Sequence, residues 1–153
     1  MRTIVEVLVA SIGDSQVSYT ARMKELRDGE IPDEAAHRIV ERVLGKTSAE
    51  IADHVLIHST NWRYSHDMIV LTYLAYTDEL AFDATSSIPL QEILSNAVAP
   101  VSCPTSTAEM QIVCHAIHYL AFLTRYSSQS RRFLSVRTMQ LLKSMPSALP
   151  EEL

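Results

Sequence analysis

The run Met68–Tyr76, MIVLTYLAY, holds no charged residue and only one threonine among apolar and aromatic side chains. It is far shorter than the roughly 20 residues that a membrane-spanning helix needs. It is also too continuous for a strand with one wet face. A run of this kind reads as a β-strand buried on both faces, near the centre of a sheet. The rest of the 153-residue chain has to be arranged around it.

Other segments supply neighbours. Residues 3–11, TIVEVLVAS, are rich in β-branched side chains and broken only by Glu6, which predicts a strand. A Gly13-Asp14-Ser15 turn follows. Residues 16–23 then alternate Val17, Tyr19, Ala21 and Met23 with polar side chains, the period of a half-buried strand. Residues 55–64 and Met68–Tyr76 form a second hairpin around residues 65–67. Between the hairpins, residues 24–33 read as a loop and residues 34–44 as an amphipathic helix. That helix has Asp33 as N-cap and Gly45 at the left-handed C-terminal position. Residues 48–54 are a short helical turn or a connector.

After Asp78 the pattern changes. Residues 80–88 read as a loop, partly helical at most, and residues 89–98 as a helix with Pro89 in its first turn. Pro100 and Pro104 break it. Residues 105–126 carry the strongest helical spacing, capped by Thr105 or Thr107, and residues 130–145 form a further helix before Pro146 and Pro150. The expected class is α+β: a mixed sheet of hairpins with one loop–helix element, followed by a helical C-terminal half packed on the sheet. The length fits a single domain over residues 1–153, with sheet and one helix in 1–80 and mainly helix in 85–145.

Composition narrows the function classes. Hydrophobic residues make up 47% and charged residues 20%, enough to bury a core. The formal net charge of −5 gives no footprint for a nucleic acid polymer. Cys103 and Cys114 cannot build a disulfide framework, and no basic-then-apolar leader opens the chain. A cytoplasmic protein with no membrane segment is the expectation.

The segment GEIPDEAAHRIVERVLG, residues 29–45, resembles the loop–helix signature of the Nudix hydrolases. The order strand, strand, loop, helix, strand, strand is similar to that fold. With the last glycine of the signature on Gly45, Glu30, Arg38 and Val40 also match. The positions of the family's metal-holding glutamates fall on Ile39, Arg42 and Val43, and the opening glycine falls on Lys24. Mg²⁺ requires hard oxygen ligands, and none of these side chains supplies one. Glu41 is one residue out of register, which turns it about 100° around the helix. The resemblance therefore implies a Nudix-like domain that binds a nucleotide-like small molecule or a protein partner without metal-dependent chemistry. The alternative is a nucleoside diphosphate hydrolase with a non-standard Mg²⁺ site, using Glu30, Glu34 or Glu41 as ligands and His58 or His37 as acid–base.

Three further features carry candidate chemistry. The segment from His58 to Tyr64, HSTNWRY, is the densest polar-aromatic stretch and contains the only tryptophan. Alternation places His58, Thr60, Trp62 and Tyr64 on one strand face, with Ser59, Asn61 and Arg63 on the other. With Arg38 from the box-like helix, His58, Thr60, Trp62, Arg63 and Tyr64 are the expected ligand-binding residues, Trp62 serving to stack a planar group. His115 and His118 stand three apart on the long helix, a spacing two metal ligands can use. No third ligand is tied to them, so structural roles are expected, one at the surface and one near the core. Arg125, Arg131, Arg132 and Arg137 form the one basic cluster, suited to an anion, to a partner's acidic patch or to a solvated helix face. Cys103 has no activating neighbour. A third reading is assembly, with symmetric homodimers the commonest case.

Overall fold

The structure, a computed structural model, describes residues 1–95 and 108–145. Its strands are β1 (Arg2–Ile12), β2 (Gln16–Glu25), β3 (Leu56–Ser65), β4 (Met68–Tyr76) and β5 (Ser86–Pro89). They form one mixed sheet in the order β3-β4-β1-β2-β5. β1 pairs antiparallel with β2 and parallel with β4. The helices are α1 (Pro32–Leu44), α2 (Ser48–His54), α3 (Leu90–Ser95), α4 (Ala108–Tyr126), α5 (Ser128–Arg131) and α6 (Val136–Lys143). The class is α+β, with the C-terminal half helical.

Alternation along β1 explains the layering. Val5, Val7 and Val9 point to one face and meet Ala35, Ala36, Ile39 and Val40 of α1. Leu8, Ala10 and Ile12 point to the other face and join Leu74 and Tyr76 of β4. There they pack with Val113, Ile117 and Leu120 of α4 and Leu142 of α6. A sheet covered on both faces needs interior strands apolar on both sides. β4 is such a strand, as its sequence required, but the middle of the sheet is β1. Among the described residues no helix is long and apolar enough to cross a membrane.

Local chemistry accounts for the boundaries. Gly45 closes α1 with φ 63°, donating its N–H to Glu41 O. Thr47 and Glu50 cap α2 reciprocally, which makes residues 48–54 a helix and not a connector. The β3–β4 turn rests on His66 and Asp67, both left-handed at φ 47° and 62°, the requirement of a tight two-residue hairpin.

Four expectations are corrected. α1 begins at Pro32, with Ile31 as N-cap and no side-chain cap, so Asp33 lies inside the first turn. Proline brings no N–H there, and Asp33 and Glu34 answer the helix dipole. Part of the 80–88 loop is strand: β5 adds to the sheet edge through Val17↔Ile88. Pro89 ends that strand and does not open the helix. The helix expected over 130–145 is two helices, because Ser135 caps α6 by accepting from Thr138 N at 3.1 Å. Asp78 holds that corner, accepting from Ser135 N at 2.8 Å. The Pro100–Pro104 break, the Thr105 and Thr107 caps, Cys103 and the C-terminal prolines lie outside the described residues.

Candidate functional site

The site is created by an irregularity in β3. Its pairing with β4 slips between Ser59 and Asn61, leaving Thr60 as an extra residue. A bulge of this kind reverses the side-chain alternation beyond it. His58 pairs with Leu74 on the α4 face of the sheet, whereas Trp62 pairs with Leu71 on the α1 face. The bulge is held from two sides. Thr60 donates its hydroxyl to Thr72 O at 3.3 Å, and its own carbonyl accepts from His115 Nε2 at 3.2 Å.

The expected cluster is therefore divided. Trp62 and Tyr64 remain together, ring centroids 5.4 Å apart and edge to face. His58 is on the opposite face, its ring 5.3 Å from that of Tyr119. Arg63 turns inward and donates to Glu6 Oε1 at 3.1 Å and Thr72 Oγ1 at 3.0 Å. It neutralises Glu6, the buried charge of β1. Arg38 donates to Glu30 at 2.9 Å and takes no part in the cleft described next.

Where β3 bulges, a cleft of about 420 Å³ opens between the strand and the start of α1. Ile31, Pro32 and Asp33 line one side, and residues 59–62 with Leu71 and Tyr73 line the other. Trp62 is 61% exposed, so it is a wall of the cleft and not a core anchor. Asn61 Oδ1 is buried and has no hydrogen-bond partner among the described residues. Tyr73 donates to Asp33 Oδ1 at 2.5 Å, which leaves the second carboxylate oxygen of Asp33 as an acceptor. Burial, and then the bond to Asp33, pushes the Tyr73 hydroxyl well above the ordinary tyrosine range, so it stays a donor. Apolar walls with a few placed acceptors are the usual makeup of a small-molecule site. Here they suit a planar group that stacks on Trp62 and presents N–H donors.

Two of the three box-like glutamates, Glu30 and Glu41, are held by other side chains. Glu30 accepts from Lys24 at 2.6 Å, from Arg38 and from Arg27 N at 2.9 Å. These contacts, Lys24 foremost, hold its carboxyl down at about 2. Glu41 accepts from Ser48 at 2.5 Å. Glu34 is exposed in the first turn of α1. Among the described residues no three His, Cys, Asp or Glu side chains come together as a possible metal site. His37 is exposed, with Nδ1 2.8 Å from Asp33 O.

Both histidines of α4 are buried, against the expectation of one at the surface. His118 Nε2 donates to Ile93 O at 3.0 Å. His115 spends Nε2 on the bulge, and its Nδ1 is buried without a partner among the described residues. Cys114 is buried, and desolvation pushes its thiol up to about 11, away from reactivity. The basic cluster disperses. Arg125 donates to Met145 O, and Arg137 pairs with Asp14. Arg132 lies over the Phe133 ring, 4.6 Å from its centroid.

The chain matches no protein-family model and no curated protein. The functional reading rests on the geometry of the cleft.

Proposed function

We propose that the protein is a non-catalytic, Nudix-like binding domain of the cytoplasm whose cleft at the Thr60 bulge takes a planar, nucleotide-like small molecule. The observation that carries this is Trp62: a large aromatic ring, 61% exposed, beside a cleft whose other wall is the first turn of α1. Exposing such a ring on a monomer forfeits burial that the core could have used. A stacked heterocycle would recover it. The second carboxylate oxygen of Asp33 then accepts from ring or exocyclic N–H groups. The commitment of Glu30 to Lys24 and Arg38 supports binding without metal chemistry.

Trp62 is the sole tryptophan, so its fluorescence reports on this cleft alone. Titration with nucleosides, nucleoside triphosphates and ADP-ribose, with and without Mg²⁺ or Mn²⁺, tests the reading. A saturable change indifferent to metal, with no turnover, is expected. A bound ligand also raises the melting temperature, and Trp62→Ala is expected to abolish that rise. No response from any compound would remove the reading. Metal-dependent hydrolysis that vanishes with Glu41→Gln would restore the hydrolase alternative.

One observation favours a second reading, a homodimer. β3 is an outer strand of the sheet, and it displays Trp62 and Tyr64, 61% and 65% exposed. Exposed apolar edge strands recruit partner strands. A monomeric mass by light scattering at several hundred micromolar would exclude it.

A further inference from the structure

The opposite face of β3 carries a second cleft, of about 480 Å³, between the strand and the corner joining α4 to α5. Its polar lining is His58, Ser127, Gln129, Ser130 and Arg132, and its apolar walls include Leu123 and Phe133. Among the described residues no carboxylate lines it, and Arg132 forms no ion pair. In a chain of net charge −5, such a concentration of donors without an acid is unusual.

The donors are held in place by their neighbours. His58 Nδ1 lies 2.7 Å from Ser59 O. A carbonyl only accepts, so Nδ1 carries the hydrogen and Nε2 is the free ring nitrogen. The imidazole also rests against Tyr119. Ser127 Oγ accepts from Ser130 N at 3.3 Å and from Ser130 Oγ at 3.1 Å, so its own hydrogen remains to be donated. Arg132 is anchored over Phe133, and its planar fork of N–H groups is unpaired among the described residues.

We propose that this cleft binds the phosphate group of a small phosphomonoester, with Arg132 as the charged donor and Gln129, Ser127 and His58 completing the cradle. Charge-assisted bonds from arginine to phosphate oxygens are among the strongest available to a side chain. Neutral His58 accepts a phosphate O–H through Nε2, and the imidazolium donates through the same atom. Leu123 and Phe133 give the organic body of the ligand an apolar rest. The proposal is independent of the cleft beside Trp62, which lies across the sheet.

Amide chemical-shift titration with inorganic phosphate, phenyl phosphate and benzoate tests it. Phenyl phosphate is expected to shift the signals of His58 and residues 127–133 saturably, more tightly than phosphate alone. Arg132→Gln is expected to weaken it by about tenfold or more. Arg131→Gln, one residue away but outside the lining, is expected to change it by less than about twofold. Gln129→Ala, at an exposed position outside the caps, is a second variant and is expected to weaken binding severalfold. Equal losses in both arginine variants would mean diffuse charge attraction and would overturn the site. So would the absence of any shift at millimolar phenyl phosphate, or benzoate binding as tightly as phenyl phosphate. Thermal melting of each variant separates loss of binding from loss of fold.

Discussion

Tyr73 donates its hydroxyl hydrogen to Asp33 Oδ1 at 2.5 Å, tying an interior strand to the first turn of α1. The carboxylate that a capping rule would assign to the helix's own amides is thus spent on the sheet. The bond fixes the distance between the two walls of the Trp62 cleft.

Tyr73→Phe keeps the ring and removes this bond. It is expected to lower the unfolding free energy by about 1–2 kcal/mol, measured by urea denaturation. Ligand affinity at the Trp62 cleft is expected to fall as well, because α1 loses its anchor. Unchanged stability would show that Asp33 finds an equivalent partner in water.

Asp78 is the hinge between sheet and C-terminal helices. It accepts from Tyr76 Oη at 2.6 Å, Thr138 Oγ1 at 3.0 Å and Ser135 N at 2.8 Å. Tyr76 is buried and in turn receives Ile12 N at 3.1 Å. Asp78→Ala leaves those donors without their acceptor. A loss on the order of 2–3 kcal/mol is expected, with earlier proteolysis of the α5–α6 segment than of the sheet.

Burial, reinforced by the neighbouring His118, lowers the pKa of His115 below the ordinary 6.5, although the bond to Thr60 opposes this. The folded state therefore binds its proton less readily than the unfolded chain. Stability contributed by neutral His115 is complete above about pH 6.5 and is lost as pH falls below it. Denaturation midpoints at pH 7.5 and 5.5 are expected to differ in the wild type. The difference is expected to shrink in His115→Gln, which can still donate to Thr60 but does not titrate. An unchanged pH dependence in that variant would place its source elsewhere.

Gly45 sits at φ 63°, and a Cβ built there meets nothing within 4 Å. The cost of Gly45→Ala is then conformational and not steric. It is expected to be about 1 kcal/mol, with Gly45→Asn milder, since asparagine enters the left-handed region more readily. Thermal melting of the two variants checks the order.

The elements that sequence reveals here are those written in consecutive side chains. The runs 3–11, 16–23 and Met68–Tyr76, the apolar stripe of α1 and its Gly45 stop are all of this kind. The site was less legible because it depends on an exception to such a pattern. Nothing in HSTNWRY marks Thr60 as the residue that drops out of register. A strict period of two groups His58 with Trp62, and the fold separates them across the sheet. The partner that stabilises the bulge, His115, comes from a helix 55 residues later. Glu6 and Arg63 are likewise 57 residues apart, so neither announces the other. β5 is only four residues long, too short for alternation to show.

The parallel pairing of β1 with β4 joins residues 66 apart, as Glu6 and Thr72 illustrate. The β1–β2 hairpin can close early, but the other edge of β1 has no mate until the β3–β4 hairpin is in place. Contacts of such long sequence separation slow folding and leave apolar strand exposed in the interval. The most buried strand of the native sheet is thus the one most open to a wrong partner during folding. A refolding yield that falls steeply with protein concentration is the kinetic signature this topology carries.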